Sequence, residues 1–235
     1  MTSELKNPVF CGIDTPDLDR AETVAAAVAP IVGGIKLGKE FFTAQGPDGV
    51  RRIAGYGAPI FLDLKFHDIP NTVAGAIRSA CRLDLFMLNV HTTGGPAMMR
   101  AAAEAAHGAA GARPLVIGVT VLTSLDDADL NAVGLAGPAG DRAVALAQLA
   151  RDCGLDGVVC SALEIDGIRT ACGPEFKLVV PGIRPAGSDI GDQKRVMTPA
   201  AALRAGADYL VIGRPIAAAA DPAAAARDIV AELGD

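Results

Sequence analysis

Asp63, Lys65 and Asp68 place two carboxylates and an ammonium within six residues, in the stretch Asp63-Leu64-Lys65-Phe66-His67-Asp68-Ile69-Pro70-Asn71-Thr72. An apolar, strand-like run leads directly into it. With residues 59–65 extended, Phe61, Asp63 and Lys65 share one face while Ile60, Leu62 and Leu64 share the other. Ionised groups this close together at the end of a buried strand are costly unless they pair or serve chemistry. Perturbed lysine and carboxylate pKa values concentrate at active sites, although structural ion pairs perturb them too. The motif by itself therefore poses a choice between a catalytic charge array and a structural ion pair.

What must position these groups follows from the rest of the chain. Short β-branched or aliphatic runs recur at 9–14, 34–37, 59–65, 85–90, 115–122, 157–160, 177–181 and 209–212. Between them lie alanine-rich stretches of helical length at 18–29, 48–56, 69–81, 96–107, 139–152, 162–171, 198–205 and 222–233. Asp17, Ser161 and Asp221 precede helices as N-caps, and Pro96 and Pro222 occupy early helical positions. Strict alternation of strand and helix requires a parallel sheet, and eight such units in 235 residues fit a closed (β/α)8 barrel, α/β in class, better than an open doubly wound sheet. No Gly/Pro/Ser linker divides it, so residues 1–235 are expected to form a single catalytic domain. The longest irregular segments are expected at 123–138 and 181–197, and long loops in compact domains are usually functional.

Composition narrows the partners. The chain is 51% hydrophobic, carries a net charge of −6 and has no run of lysine or arginine, which argues against nucleic acid or an anionic membrane surface as a ligand. Five cysteines without CxxC spacing, and an N-terminus lacking a signal-like apolar stretch, suit a reduced, cytoplasmic protein.

A parallel barrel carries its active site at the C-terminal ends of the strands. There the expected barrel has Asp14 on the first strand, Lys36 on the second, flanked by outward Ile35 and Leu37, and Asp63 and Lys65 on the third. Each carboxylate would lie between ammonium groups and stay ionised by mutual attraction. The opposite half suits phosphate. Strand eight runs into Gly213-Arg214, strand seven into Pro181-Gly182-Ile183-Arg184, and Gln193 follows in the next loop. Phosphate is often bound by the loops after strands seven and eight, and arginine can meet it with two parallel hydrogen bonds.

These pieces, in this order, resemble the orotidine 5′-phosphate decarboxylase family over essentially the whole chain. The resemblance is carried by Asp14 in Gly-Ile-Asp, Lys36 in Ile-Lys-Leu-Gly, the Asp63–Thr72 block, Thr123 in Val-Leu-Thr-Ser, Pro-Gly-Ile-Arg, Gln193 and Ile-Gly-Arg-Pro-Ile. It implies cofactor-independent conversion of orotidine 5′-phosphate to UMP in pyrimidine biosynthesis, by a homodimer of barrels with neither metal nor organic cofactor. It also implies that Asp68 reaches into the partner's site. Asp68 lies where the chain must leave the strand to start a helix near Pro70, so its side chain need not point into its own barrel.

In this reading Lys36, Asp63, Lys65 and Asp68 form the catalytic array. Lys65 stabilises negative charge at C6 of the pyrimidine and delivers the proton, while Asp63 disfavours the ground-state carboxylate. Asp14 and Lys36 hold the ribose, Thr123 (with Ser124 as the alternative) the pyrimidine edge, and Arg184, Gln193, Gly213 and Arg214 the phosphate, with Ile69, Thr72 and Pro181 as further substrate contacts. The loop at 181–197 is expected to close over the substrate. The main alternative is a magnesium-dependent sugar-phosphate decarboxylase or aldolase with the same Asp-x-Lys-x-x-Asp signature. Those relatives carry an acid at the end of strand two, where Lys36 would instead repel the metal. A non-catalytic nucleotide-phosphate binder would be expected to have lost a charge from the array, and none is lost. His67 and His91 are expected to be structural, and His107 solvated.

Overall fold

The computed structural model describes residues 5–185 and 197–234. Eight parallel strands close in sequential order into a barrel: β1 (Val9–Ile13), β2 (Gly34–Gly38), β3 (Ile60–Phe66), β4 (Met87–His91), β5 (Leu115–Val119), β6 (Gly157–Val159), β7 (Lys177–Val180) and β8 (Tyr209–Ile212). Helices α1 (Leu18–Val28), α2 (Lys39–Ala54), α3 (Pro70–Ala80), α4 (Gly95–His107), α5 (Asp127–Ala132), α6 (Ala139–Asp152), α7 (Ile165–Cys172), α8 (Pro199–Ala205), α9 (Arg214–Ala217) and α10 (Pro222–Ala231) complete the connections.

The two-residue period of each strand divides its side chains between two cores. Outward residues, among them Cys11, Ile35, Leu37, Leu62, Leu88 and Leu210, pack under the helices. Inward residues Phe10, Phe61, Met87, Ile117, Val179 and Val211 fill the barrel. The lower interior is aromatic, with the Phe10 ring 5.7 Å from both Phe86 and Tyr209. Gly34 is required there, because a Cβ at that position would collide with the Phe10 ring. Further up, the inward positions of the first four strands turn polar: Asp14 just beyond β1, Lys36, Asp63 and Asn89. The barrel thus has a sealed apolar floor under a charged mouth.

Asp17, Ser161 and Asp221 cap as expected: Asp17 accepts from the N–H groups of Asp19 and Arg20, Ser161 from Leu163 and Asp221 from Ala224. Helix α2 begins well before the expected 48–56 segment. It kinks at Gly46 (φ 61°), and Pro47 opens its second half, where a missing N–H costs no helical bond. The Gly-Pro pair hides the first half from a sequence reading. The segment expected to be irregular at 123–138 contains α5, six residues long and too short to show periodicity. Its sequence signal is a capping box between Asp126 and Asp129. Of the other expected irregular segment, residues 186–196 fall outside the described residues, Gln193 among them; its two ends are joined where the Arg184 N–H donates to the Met197 carbonyl at 3.0 Å. Among the described residues, no helix is long and apolar enough to cross a membrane.

Candidate active site

Four charged side chains form a chain of ion pairs across the mouth. Lys36 Nζ lies 3.2 Å from Asp14 Oδ1 and 3.3 Å from Asp63 Oδ2, and Lys65 Nζ lies 2.6 Å from Asp63 Oδ1. The inner pair is enclosed, with side-chain exposures of 10% for Lys36 and 12% for Asp63, against 51% for Asp14 at the outer end. Burial alone would push the Lys36 ammonium below its usual pKa, but the Asp63 and Asp14 carboxylates outweigh it and hold the group above. Asp63 mirrors this. Burial favours its neutral form, yet the Lys36 and Lys65 charges, with hydrogen bonds from Lys65 and Asn89, bring it below the ordinary carboxylate range. Both groups are therefore fixed in their ionised forms at neutral pH.

Close packing of the array depends on two glycines. A Cβ on Gly38 would fall within 3.0 Å of Asp14 Oδ1, and one on Gly12 would press on Lys36 Cε at 3.2 Å and the Gly213 backbone at 3.3 Å. In Gly-Ile-Asp and Ile-Lys-Leu-Gly the glycines leave room for the charges they flank.

Simple alternation does not by itself deliver Lys65. Leu62 pairs with Leu88 but Phe66 pairs with Val90, so β3 bulges against β4 between those registers. Within the bulge Lys65 adopts φ 51°, a left-handed conformation that costs a non-glycine residue roughly 1–2 kcal/mol. Asn89, fully buried on β4, bridges the distortion. Its Oδ1 accepts the Lys65 backbone N–H at 2.7 Å and its Nδ2 donates to Asp63 Oδ1 at 2.7 Å. A hydrogen bond to a charged group contributes about 1.5–3 kcal/mol, enough to offset the backbone cost. Asn89 escaped the sequence reading. Its signal was a lone amide at an inward position of an otherwise apolar run.

Lys36, Asp63, Lys65, Thr123, Ser124 and Pro181 line a cavity of about 270 Å³ whose floor includes Phe61 and Val211. Asp14 and Arg214 line a smaller one of about 120 Å³ with Gly12 and Thr15. Gly213 packs its backbone against Gly12. Arg184 is buried, and its Nη1 donates to the Ile183 carbonyl at 3.0 Å; it lines neither of these cavities. Asp68, Ile69 and Thr72 are exposed and lie outside both cavities, Ile69 being 67% exposed. Asp68 Oδ1 accepts the Ile69 N–H at 2.6 Å. A larger cavity, about 390 Å³, opens at the opposite end of the strands around Phe86, Asp84 and Arg113. It lacks the linked carboxylates and ammoniums, and the C-terminal mouth is where a barrel of this kind does chemistry.

His67 and His91 stand with ring centroids 5.6 Å apart at the edge of the array. Burial, then His67, Lys39 and Lys65, lower the His91 pKa to about 4. His107 is exposed at the end of α4. All five cysteines are free thiols; burial raises the Cys11 pKa to about 12, and Cys160 is pushed up further still. Neither of those two is poised as a nucleophile at neutral pH.

Comparison with known proteins bears on the family and the barrel fold. The model of the orotidine 5′-phosphate decarboxylase / HUMPS family matches residues 7–229. The orotidine 5′-phosphate decarboxylase of Paramagnetospirillum magneticum is 54% identical over 232 residues, covering 97% of this chain and 99% of that one. That of Moorella thermoacetica is 55% identical over 233 residues, covering 97% and 92%. Among solved structures, the orotidine 5′-phosphate decarboxylase of Lactobacillus acidophilus superposes with a TM-score of 0.87 at 33% identity, covering 98% of this chain and 100% of that one. The Pyrococcus horikoshii enzyme of the same name gives 0.79 at 25% identity, covering 97% and 99%. With a closed eight-stranded barrel, a linked Asp–Lys–Asp–Lys mouth and a family match over nearly its whole length, the chain belongs to the orotidine 5′-phosphate decarboxylase / HUMPS family.

Proposed function

We propose that this chain is a carboxy-lyase that converts orotidine 5′-phosphate to UMP. The observation that carries the reading is the Asp14–Lys36–Asp63–Lys65 chain of ion pairs, three members of which line one cavity at the barrel mouth. In the reaction the bond from C6 to the carboxylate breaks, carbon dioxide leaves and the electron pair stays on C6. No ring system can absorb that pair, so preorganised charge must stabilise it. Lys65 faces the developing carbanion and transfers a proton to C6, after which solvent restores the ammonium. Asp63 sits beside the substrate carboxylate and disfavours it relative to the departing carbon dioxide. Lys36 and Asp14 hold the ribose hydroxyls. Thr123 meets the pyrimidine, with Pro181 on the cavity wall beside it. Gly213, Arg214, Arg184 and Gln193 take the phosphate.

No metal or organic cofactor has a role in this scheme. The Lys36 ammonium occupies the place between Asp14 and Asp63 that a bound magnesium ion would need. The direct test follows the absorbance change as orotidine 5′-phosphate becomes UMP, with and without EDTA. Turnover that EDTA leaves unchanged is expected; EDTA-sensitive turnover would show that a metal takes part, and no turnover of this substrate would favour the sugar-phosphate alternative.

The site is completed by a second copy of the chain. Exposed Asp68, Ile69 and Thr72 stand off their own cavities, as residues serving a neighbouring site would. Mixing inactive Lys65→Ala with inactive Asp68→Asn protein should then restore activity. Random reassortment puts one intact site in each mixed dimer, so about a quarter of wild-type activity is expected at equal amounts. A mixture as inactive as its parts, despite demonstrated subunit exchange, would show that Asp68 acts within its own chain.

A further inference from the structure

We infer that Asn89 is a positioning residue for the proposed decarboxylation, holding Lys65 and Asp63 in their reactive arrangement without touching substrate. The inference rests on the function proposed above and deepens it. Asn89 is completely buried on β4, behind the array and outside the lining of the cavity. Its two hydrogen bonds reach the two parts of β3 that need restraint, the backbone of Lys65 at φ 51° and the Asp63 carboxylate.

The partners decide which way the amide faces. A backbone N–H requires the carbonyl oxygen and a carboxylate requires the NH2, so only the observed orientation satisfies both. Few residue types could replace it. Leucine of similar size would leave a buried N–H and a buried carboxylate oxygen short of partners, and aspartate could accept from Lys65 but would confront Asp63 with a second negative charge. The bulge takes Lys65 out of the regular ladder with β4, and the Asn89 carbonyl takes the place of the lost strand partner. The same amide thereby ties the direction of the Lys65 side chain to the orientation of the carboxylate that Lys65 Nζ contacts at 2.6 Å.

The test compares Asn89→Ala and Asn89→Asp with wild type by turnover of orotidine 5′-phosphate, affinity for UMP and pH profile. In Asn89→Ala, kcat is expected to fall by about 10²-fold, the cost of misplacing a reacting group by an ångström. UMP affinity, which depends on ribose and phosphate contacts, should change little. In Asn89→Asp, two carboxylates share one proton. With the proton present the new side chain can still donate to Asp63, so activity relative to wild type should decline as pH rises and the proton is lost. Unchanged kcat in Asn89→Ala, or a loss in Asn89→Asp that is equal at every pH, would overturn the inference. Hydrogen exchange at the Lys65 amide of the wild-type protein needs no variant. Protection supports the restraint, and exchange at the rate of an unstructured peptide overturns it. If wild type itself fails to decarboxylate orotidine 5′-phosphate, it is the proposed function that falls; if wild type turns over and the Asn89 variants match it, only the role of Asn89 does.

Discussion

The two halves of the barrel mouth are built differently. On the β1–β4 side, charge is carried by side chains on or just beyond buried strands: Asp14, Lys36, Asp63 and Lys65, tied together at 2.6–3.3 Å. On the β5–β8 side, the corresponding inward positions are the apolar Val119, Val159 and Val211, and the polar groups sit on loops, with Thr123 after β5, Arg184 after β7 and Arg214 opening α9. A strand-mounted group is fixed by packing on both faces of the sheet, whereas a loop-mounted group can adapt to what it binds. Under the proposed function, the Asp63–Lys65 end of the charged half would stabilise charge at the reacting carbon, its Asp14–Lys36 end would hold the ribose, and the loop half would supply binding energy from the remote phosphate.

That division can be broken by experiment. The largest effect is expected from Lys65→Ala, with a loss of kcat of at least about 10³-fold and nearly normal UMP binding, measured by turnover and calorimetry. Retained turnover would remove Lys65 as the proton donor. Next comes Arg214→Ala on the loop half. Losing a charge-assisted hydrogen bond, worth about 1.5–3 kcal/mol, should lower kcat/KM roughly 10- to 100-fold, chiefly through KM. A loss confined to kcat would show that the loop half does not act chiefly through binding. Gly38→Ala sharpens the picture within the charged half. Its new Cβ would displace the Asp14 carboxylate, so KM should rise roughly tenfold. Unaltered kinetics would mean that Asp14 need not be held where it is.

The smallest effect is a pH dependence of stability. His91 has a folded pKa of about 4 against an ordinary value of 6.5, so the unfolded chain binds more protons between those values. Stability therefore falls as pH drops from 6.5 towards 4, and below that range the loss is complete. Thermal melts of His91→Asn should show a shallower decline than wild type over the same interval. Equal slopes would indicate that the burial and surrounding cations of the charged half do not act on His91 as described.

Much of this organisation was legible in the chain. Alternating strand and helix patterns implied the barrel, and the same period of two placed Lys36 and Asp63 on its interior. The position of Arg214 at the mouth was legible from its place directly after the eighth strand, and it lines a cavity with Asp14 there. Helix α5 and the first half of α2 were not, since one is too short for periodicity and the other is masked by Gly46-Pro47.

The sequence by itself determined the fold class, the family resemblance and the identity of the charged residues, because these depend on local pattern and residue type. Tertiary structure alone decided how Lys65 meets Asp63. The bulge in β3, the positive φ at Lys65 and the buried Asn89 bridge arise from pairing between strands whose bridging residues are 24 and 26 positions apart. It likewise decided that Gly38 and Gly12 leave space for the Asp14–Lys36 pair, a requirement set by neighbouring strands that no local pattern records.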